Sequence, residues 1–212
     1  MSRLLIVGAG GFGREVLAWA RDAFTGDPDR VIGGFLDDNP KALDGFLCDL
    51  SVLGSPLDFP LSEEDQLICA IGSPAMRLDL CSVLRDRGAR FATLIHPTAV
   101  VGTHCEVGEG SILCPGAVLT TNVRLGRLVI LNVHATVGHD SILEDGCTLS
   151  AHADVTGCCR LGRGVLLGSH AVTLPGARVG DFATVGAGSV VLKIVEERTT
   201  VMGVPARKVA GF

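Results

Sequence analysis

No apolar run in this chain approaches the ~18 residues needed to cross a bilayer, so a membrane span is not expected. No leader is evident either, because Met1-Ser2-Arg3 passes directly into Leu4-Leu5-Ile6-Val7. Positive charge is not in excess: 18 Lys and Arg stand against 23 Asp and Glu, a net charge of −5. That balance argues against nucleic acid as the main partner. Paired CxxC spacing is missing as well, although there are eight cysteines in 212 residues. Cys105, Cys147 and Cys159 fall at positions read below as inward and small, where a thiol packs as a small apolar group. These absences leave a reduced, cytoplasmic protein of one or two domains as the expectation.

What is present is a period of six. Every sixth residue from Ile95 to Val191 is aliphatic, with Thr173 the one exception. The residue two before each, from Ala99 to Ser189, is never larger than Val. Residues two apart on a strand share a face, so each hexad turns one large and one small side chain inward. Three positions after the aliphatic residue, about half the hexads carry Gly, Asn or Asp, as at Gly110, Asn122, Asp140 and Gly164. These residue types tolerate positive φ and mark a sharp corner. Short strand and corner in alternation make a parallel β-helix. Three hexads per coil give a triangular prism, about five coils in this stretch.

The residue just before each aliphatic one points outward and sorts by face. Face 1 carries Glu106, Arg124, Ile142, Arg160 and Arg178 and reads as solvated. Face 2 carries Ile112, Ile130, Thr148, Leu166 and Thr184. Face 3 carries Val100, Val118, Thr136, Asp154, Val172 and Val190. Two largely apolar outer faces predict self-association in a closed ring of three, a homotrimer with Ile130 in its interface.

The first 95 residues read differently. Leu4 to Gly8 is a buried strand running into Gly8-Ala9-Gly10-Gly11-Phe12-Gly13, then a helix to about Ala23. Val31 to Leu36 is a second strand, closed by Asp37-Asp38; Leu67 to Gly72 is a third, and Phe91 to Ile95 a fourth. Pro74 opens a helix between the last two. Alternating strands and helices indicate a short parallel, Rossmann-like sheet. The glycine turn presents backbone N–H groups at a helix N-terminus, where phosphate is favoured, and an acid closing the second strand can hold a ribose. A full NAD site would need a second mononucleotide half. A nucleotide or nucleotide-sugar site is therefore the preferred reading, with plain strand–helix packing and NAD left open. The expected domains are 1–95, an α/β head; 96–192, the β-helix; and 193–212, a loop and tail.

His104, His134, His152 and His170 all occupy corners, and the last three lie one coil apart, so they should stack. Corner geometry accounts for them. His134 and His139 have the spacing of the ligand pair in β-helical carbonic anhydrases, but Thr98 stands where that family takes its third His; no metal is expected. His139 comes two after Val137, where strict alternation ends, and should face outward beside Asp140. An imidazole next to a carboxylate can serve as a general base near neutral pH. An ordinary surface histidine is the alternative.

GAGGFG at 8–13, Asp37-Asp38, Ala70-Ile71-Gly72, Leu94-Ile95-His96-Pro97, Val137-Gly138-His139-Asp140, the hexads and Met202-Gly203-Val204-Pro205-Ala206-Arg207 together carry a resemblance. The chain resembles the sugar acetyltransferases related to sialic-acid O-acetyltransferase. That group includes enzymes that N-acetylate nucleotide-linked 4-amino sugars. The resemblance implies a left-handed β-helix and a trimer with acetyl-CoA in a groove between subunits. It implies His139 as general base with Asp140 raising its basicity, and CoA contacts at Thr148, Gly157, Ser169 and Ala187. It places the nucleotide-sugar at Gly10, Gly11, Phe12, Asp37, Asp38 and Gly72. Some relatives carry His where this chain has Thr148 and Phe12. With no Cys expected beside a base, attack on the thioester should be direct. The alternatives are sugar O-acetylation and a non-catalytic scaffold or sensor.

Overall fold

The computed structural model describes residues 2–209, so the end of the expected tail lies outside the described residues. The head is a five-stranded parallel sheet in the order β3-β2-β1-β4-β5. Its elements are β1 (Ser2–Val7), α1 (Gly11–Ala23), β2 (Arg30–Leu36), β3 (Val52–Gly54), β4 (Asp65–Cys69), α2 (Pro74–Asp86) and β5 (Arg90–Phe91). β1 is central because Leu4, Leu5, Ile6 and Val7 are apolar on both faces, and all four are fully buried. The strand order reverses between β1 and β4, the place where open α/β sheets hold ligands. β3, at the edge, is three residues long, too short for periodicity to reveal it.

The last head strand ends earlier than expected. Arg90–Phe91 pairs with β4, but Leu94–Ile95 pairs with Ile112–Leu113 and already forms the first rung of the prism. From there each two-residue strand pairs in parallel with its counterpart one coil on, as in Ile112↔Ile130↔Thr148. The coil is a left-handed β-helix with three sheets. Every sixth residue from His104 to Gly188 has positive φ, including Leu128, Cys158 and Phe182, which bear the steric cost of that conformation. Leu113, Leu119, Leu131, Val137, Leu143, Leu149, Val155 and Leu167 stack inside, each fully buried. Each such side chain contributes ~1.5–3 kcal/mol on burial.

The prism does not stop at Val191. Ile194–Val195 pairs with Arg178–Val179 and Thr200–Val201 with Thr184–Val185, each now short of a full coil by two positions. That shortening breaks the period, so the stretch reads as a loop in the sequence. Arg207–Lys208 then returns antiparallel to Val201–Met202 and covers the open sheet edge.

One outer face differs from expectation. Ile112 and Ile130 on face 2 are buried, but under this chain's own head: they cluster with Val16 and Leu17 of α1 and with Leu4 and Ile6 of β1. A charge at Ile130 would undo the docking of head on prism, not an interface between copies. Face 3 remains uncovered, with Val100 55% exposed and Val118, Val172 and Val190 half-buried.

Arg77 joins the two units. Its side chain is fully buried with no carboxylate partner among the described residues, and it donates to the carbonyls of Ile71 (2.6 Å), Gly72 (3.3 Å), Leu128 (3.0 Å), Gly146 (2.8 Å) and Cys147 (3.3 Å). It also donates to Thr148 Oγ1 at 2.7 Å. Burial pulls its pKa below the ordinary arginine value.

Candidate active site

The corner between faces 3 and 1 carries one polar cluster. His139 follows Val137, an inward residue, and at Gly138 the chain begins to turn, so the imidazole leaves the prism instead of entering it. Its side chain is 58% exposed, and Nδ1 lies 2.7 Å from Asp140 Oδ2. An ionised carboxylate can only accept, so the proton sits on Nδ1 and Nε2 keeps the free lone pair. Asp140 is itself held from the coil below, where Asn122 Nδ2 donates to Oδ1 at 3.2 Å. The His139 ring, then the Asn122 amide, hold the Asp140 carboxyl below its usual range. The ring lies over Gly157 in the coil above: a Cβ there would be 2.5 Å from Nε2 and 2.7 Å from Cε1. Gly157 is thus required for the ring to occupy this position.

The coil spacing that puts Asn122 under Asp140 also puts Cys158 above it. Cys158 is exposed, and its Sγ, a ring nitrogen of His139 and a carboxylate oxygen of Asp140 lie within 4.8 Å of one another. A cysteine does stand beside the candidate base, contrary to expectation. The thiol makes no hydrogen bond to the imidazole among the described residues, so it is not the activated partner of a Cys–His pair. Both neighbours are legible in the coil period once Asp140 is taken as the reference.

The other predicted contacts fall elsewhere. Ser169 and Ala187 lie at the corner between faces 2 and 3, beside the ladder of His134, His152 and His170, whose rings stack at 5.3 and 4.8 Å. Thr148 cannot serve as an open cofactor contact: it is 6% exposed, sealed under α2, with its hydroxyl taken by Arg77. Position 148 faces the head, which the hexad pattern could not show.

In the head, Gly10, Gly11, Phe12, Asp37, Asp38 and Gly72 gather at the carboxyl ends of β1, β2 and β4. Among the described residues α1 has no side-chain cap, so its first N–H groups are open to an anion. A Cβ at Gly10 would meet nothing within 4 Å, whereas one at Gly13 would be 1.9 Å from the Gly8 carbonyl oxygen. The first position is open toward a ligand and the second is closed by strand–helix packing. Asp37 Oδ2 accepts from Ala9 N at 2.8 Å, which pins the glycine turn, and Asp38 Oδ1 accepts from Ser55 Oγ at 2.7 Å. Phe12 packs edge-on against Trp19, with ring centroids 6.0 Å apart.

Residues 3–84 match the family model described as the PglD N-terminal domain. Over its whole length the chain superposes on the acetyltransferase domain of PglB from Neisseria gonorrhoeae FA1090. The TM-score is 0.87 at 30% identity, covering 99% of this chain and 100% of that one. The chain belongs to the nucleotide-sugar acetyltransferases. PerB from Caulobacter crescentus, solved with CoA and GDP-perosamine, superposes with a TM-score of 0.89 at 29% identity, over 99% of this chain and 98% of that one. GDP-perosamine N-acetyltransferase of Escherichia coli O157:H7 is 31% identical over 71 residues, 34% of this chain; the match spans about a third (32%) of that relative. In this acetyltransferase the glycine-turn head and the His139 corner belong to one polypeptide, but they do not meet within one copy. The head packs on face 2, and the corner between faces 3 and 1 is the edge of the triangle opposite it.

Proposed function

We propose that this protein transfers acetyl from acetyl-CoA to the amine of a nucleotide-linked amino sugar. One observation carries the reading: an outward imidazole, fixed by Asp140 and Asn122, in a chain that superposes end to end on such enzymes. His139 Nε2 takes the amine proton as nitrogen attacks the thioester carbon. The C–S bond breaks and CoA leaves as thiolate. Asp140 holds the Nδ1–H tautomer and stabilises the imidazolium that forms. The nucleotide lies at the head, with phosphate on the open first turn of α1 and Gly10, Gly11, Phe12, Asp37, Asp38 and Gly72 around it. Gly157, Ser169 and Ala187 contact CoA.

These residues lie on two corners of the prism, and a second copy brings them together. One copy supplies the head and the Ser169 corner, and its neighbour supplies His139. Face 3, uncovered and largely apolar, lies between the two corners, which supports a closed homotrimer. All eight cysteines are unpaired, and no helix among the described residues is long and apolar enough to cross a membrane; both fit a cytoplasmic enzyme. The test is free-thiol release from acetyl-CoA across a panel of nucleotide-linked amino sugars and free sialic acid. Release with an amine acceptor supports the reading, whereas release with hydroxyl acceptors alone would replace it by O-acetylation. Sedimentation at micromolar concentration tests the trimer, and a monomer with full activity would refute the shared site.

A further inference from the structure

The corner of His139 offers more than a base. Three side chains of different ligand chemistry converge there from two successive coils: imidazole, carboxylate and thiol. Their donor atoms lie within 4.8 Å of one another and all three residues are exposed. In a tetrahedral zinc site the bonds are ~2.0–2.3 Å long, so donors sit closer together than this. Exposed side chains can close that gap by small rotations. Asp140 is anchored by Asn122 and Cys158 by its corner backbone, whose N–H donates to the His139 carbonyl at 2.7 Å. The donors therefore start from a fixed frame. A thiolate beside an imidazole selects a borderline-soft ion such as Zn²⁺ over Mg²⁺ or Ca²⁺.

We propose that His139, Asp140 and Cys158 form an inhibitory Zn²⁺ site built on the base itself. The consequence for catalysis rests on the acetyl-transfer reading above; binding of the ion does not. A neutral imidazole has one free lone pair. Whichever ring nitrogen the ion takes, none is left to accept the proton of the amine. The thiol binds as thiolate. Water completes the coordination, and a chelator reverses the block.

The experiment measures Zn²⁺ affinity of the full chain by competition with a chromophoric chelator, and Co²⁺ binding by absorption. Wild type should bind one Zn²⁺ per chain and show a thiolate-to-cobalt charge-transfer band. Cys158→Gly is the matching variant, because φ at this corner is 61° and Gly176 fills the same position one coil on. It should melt like wild type, lose the band and bind Zn²⁺ more than ~100-fold more weakly, beyond the 10–100-fold that loss of an outer partner costs. Zn²⁺ should also protect Cys158 of wild type from maleimide, read by peptide mass spectrometry, which needs no variant. In the transfer assay, Zn²⁺ should inhibit wild type, EDTA should restore it, and Cys158→Gly should stay active in Zn²⁺. Unchanged affinity in Cys158→Gly, or wild type without the band, overturns the site. Thiolate-bound Zn²⁺ that leaves turnover untouched overturns the inhibition. A chain that binds Zn²⁺ through Cys158 but transfers no acetyl group sinks the functional reading and leaves the metal site standing.

Discussion

Gly157→Ala isolates the position of the candidate base from its chemistry. The methyl group would arrive 2.5 Å from His139 Nε2, 2.7 Å from Cε1 and 3.0 Å from Cδ2. Carbon and nitrogen in contact need ~3.5 Å or more, so the ring must retreat by about 1 Å. It is the free end of an exposed side chain, so it can swing away, and φ at residue 157 is not in the left-handed region. Stability should change by no more than about 0.5 kcal/mol, as for ordinary surface substitutions. Turnover should suffer far more. A displacement of ~1 Å costs roughly 10²-fold, about 2.7 kcal/mol in the barrier at about 1.36 kcal/mol per factor of ten. Steady-state kinetics with acetyl-CoA and the amino-sugar acceptor read the effect, and thermal melting checks the fold. Gly157 is also a proposed CoA contact, so KM and kcat must be separated. A fall in kcat with KM nearly unchanged identifies ring displacement; a rise in KM alone identifies lost CoA binding. Full kcat in this variant would refute the claim that an imidazole seated over Gly157 is the base.

Replacing His139 with Ala should cut kcat by roughly 10²–10⁴ while acetyl-CoA affinity, read by calorimetry, stays nearly constant; a smaller loss removes the base assignment. Asp140 should titrate below the ordinary ~3.9 of an aspartate, and Asn122→Ala should move it upward in carbon-detected NMR. Because its folded value is depressed, the stabilisation from the His139–Asp140 pair is fully present above the ordinary carboxylate value. It is lost as pH falls through the lower folded one. Arg77→Met should cost at least about 3 kcal/mol in urea unfolding, since several buried carbonyls are left unpaired at ~1–3 kcal/mol each; a neutral result would show that water replaces the guanidinium. Ile130→Glu should destabilise the chain by several kcal/mol at any protein concentration, whereas an interface residue would show a concentration-dependent effect.

The sequence by itself determined the inside of this molecule. In a β-helix every inward residue meets only its neighbours one coil above and below, so a local six-residue rule specifies the core and the corners from His104 to Gly188. The same locality made the outward turn of His139 legible. It also placed Asn122, Asp140 and Cys158 in one column, one coil apart, although the column has to be read from Asp140 outward to be noticed. In the head, Gly10 and Gly13 follow equally local constraints at one tight turn. The outside was decided by the tertiary structure. Ile112, Ile130 and Thr148 look like any exposed outer row until a distant segment docks on them, and the guanidinium of Arg77 reaches Thr148 across 71 residues of sequence. The turn after Val191 escaped for a related reason. A coil pairs as well as its neighbours when one corner shortens, but it slips the register that sequence reading depends on. Periodicity reports contacts that repeat, and the docking of head on prism happens once.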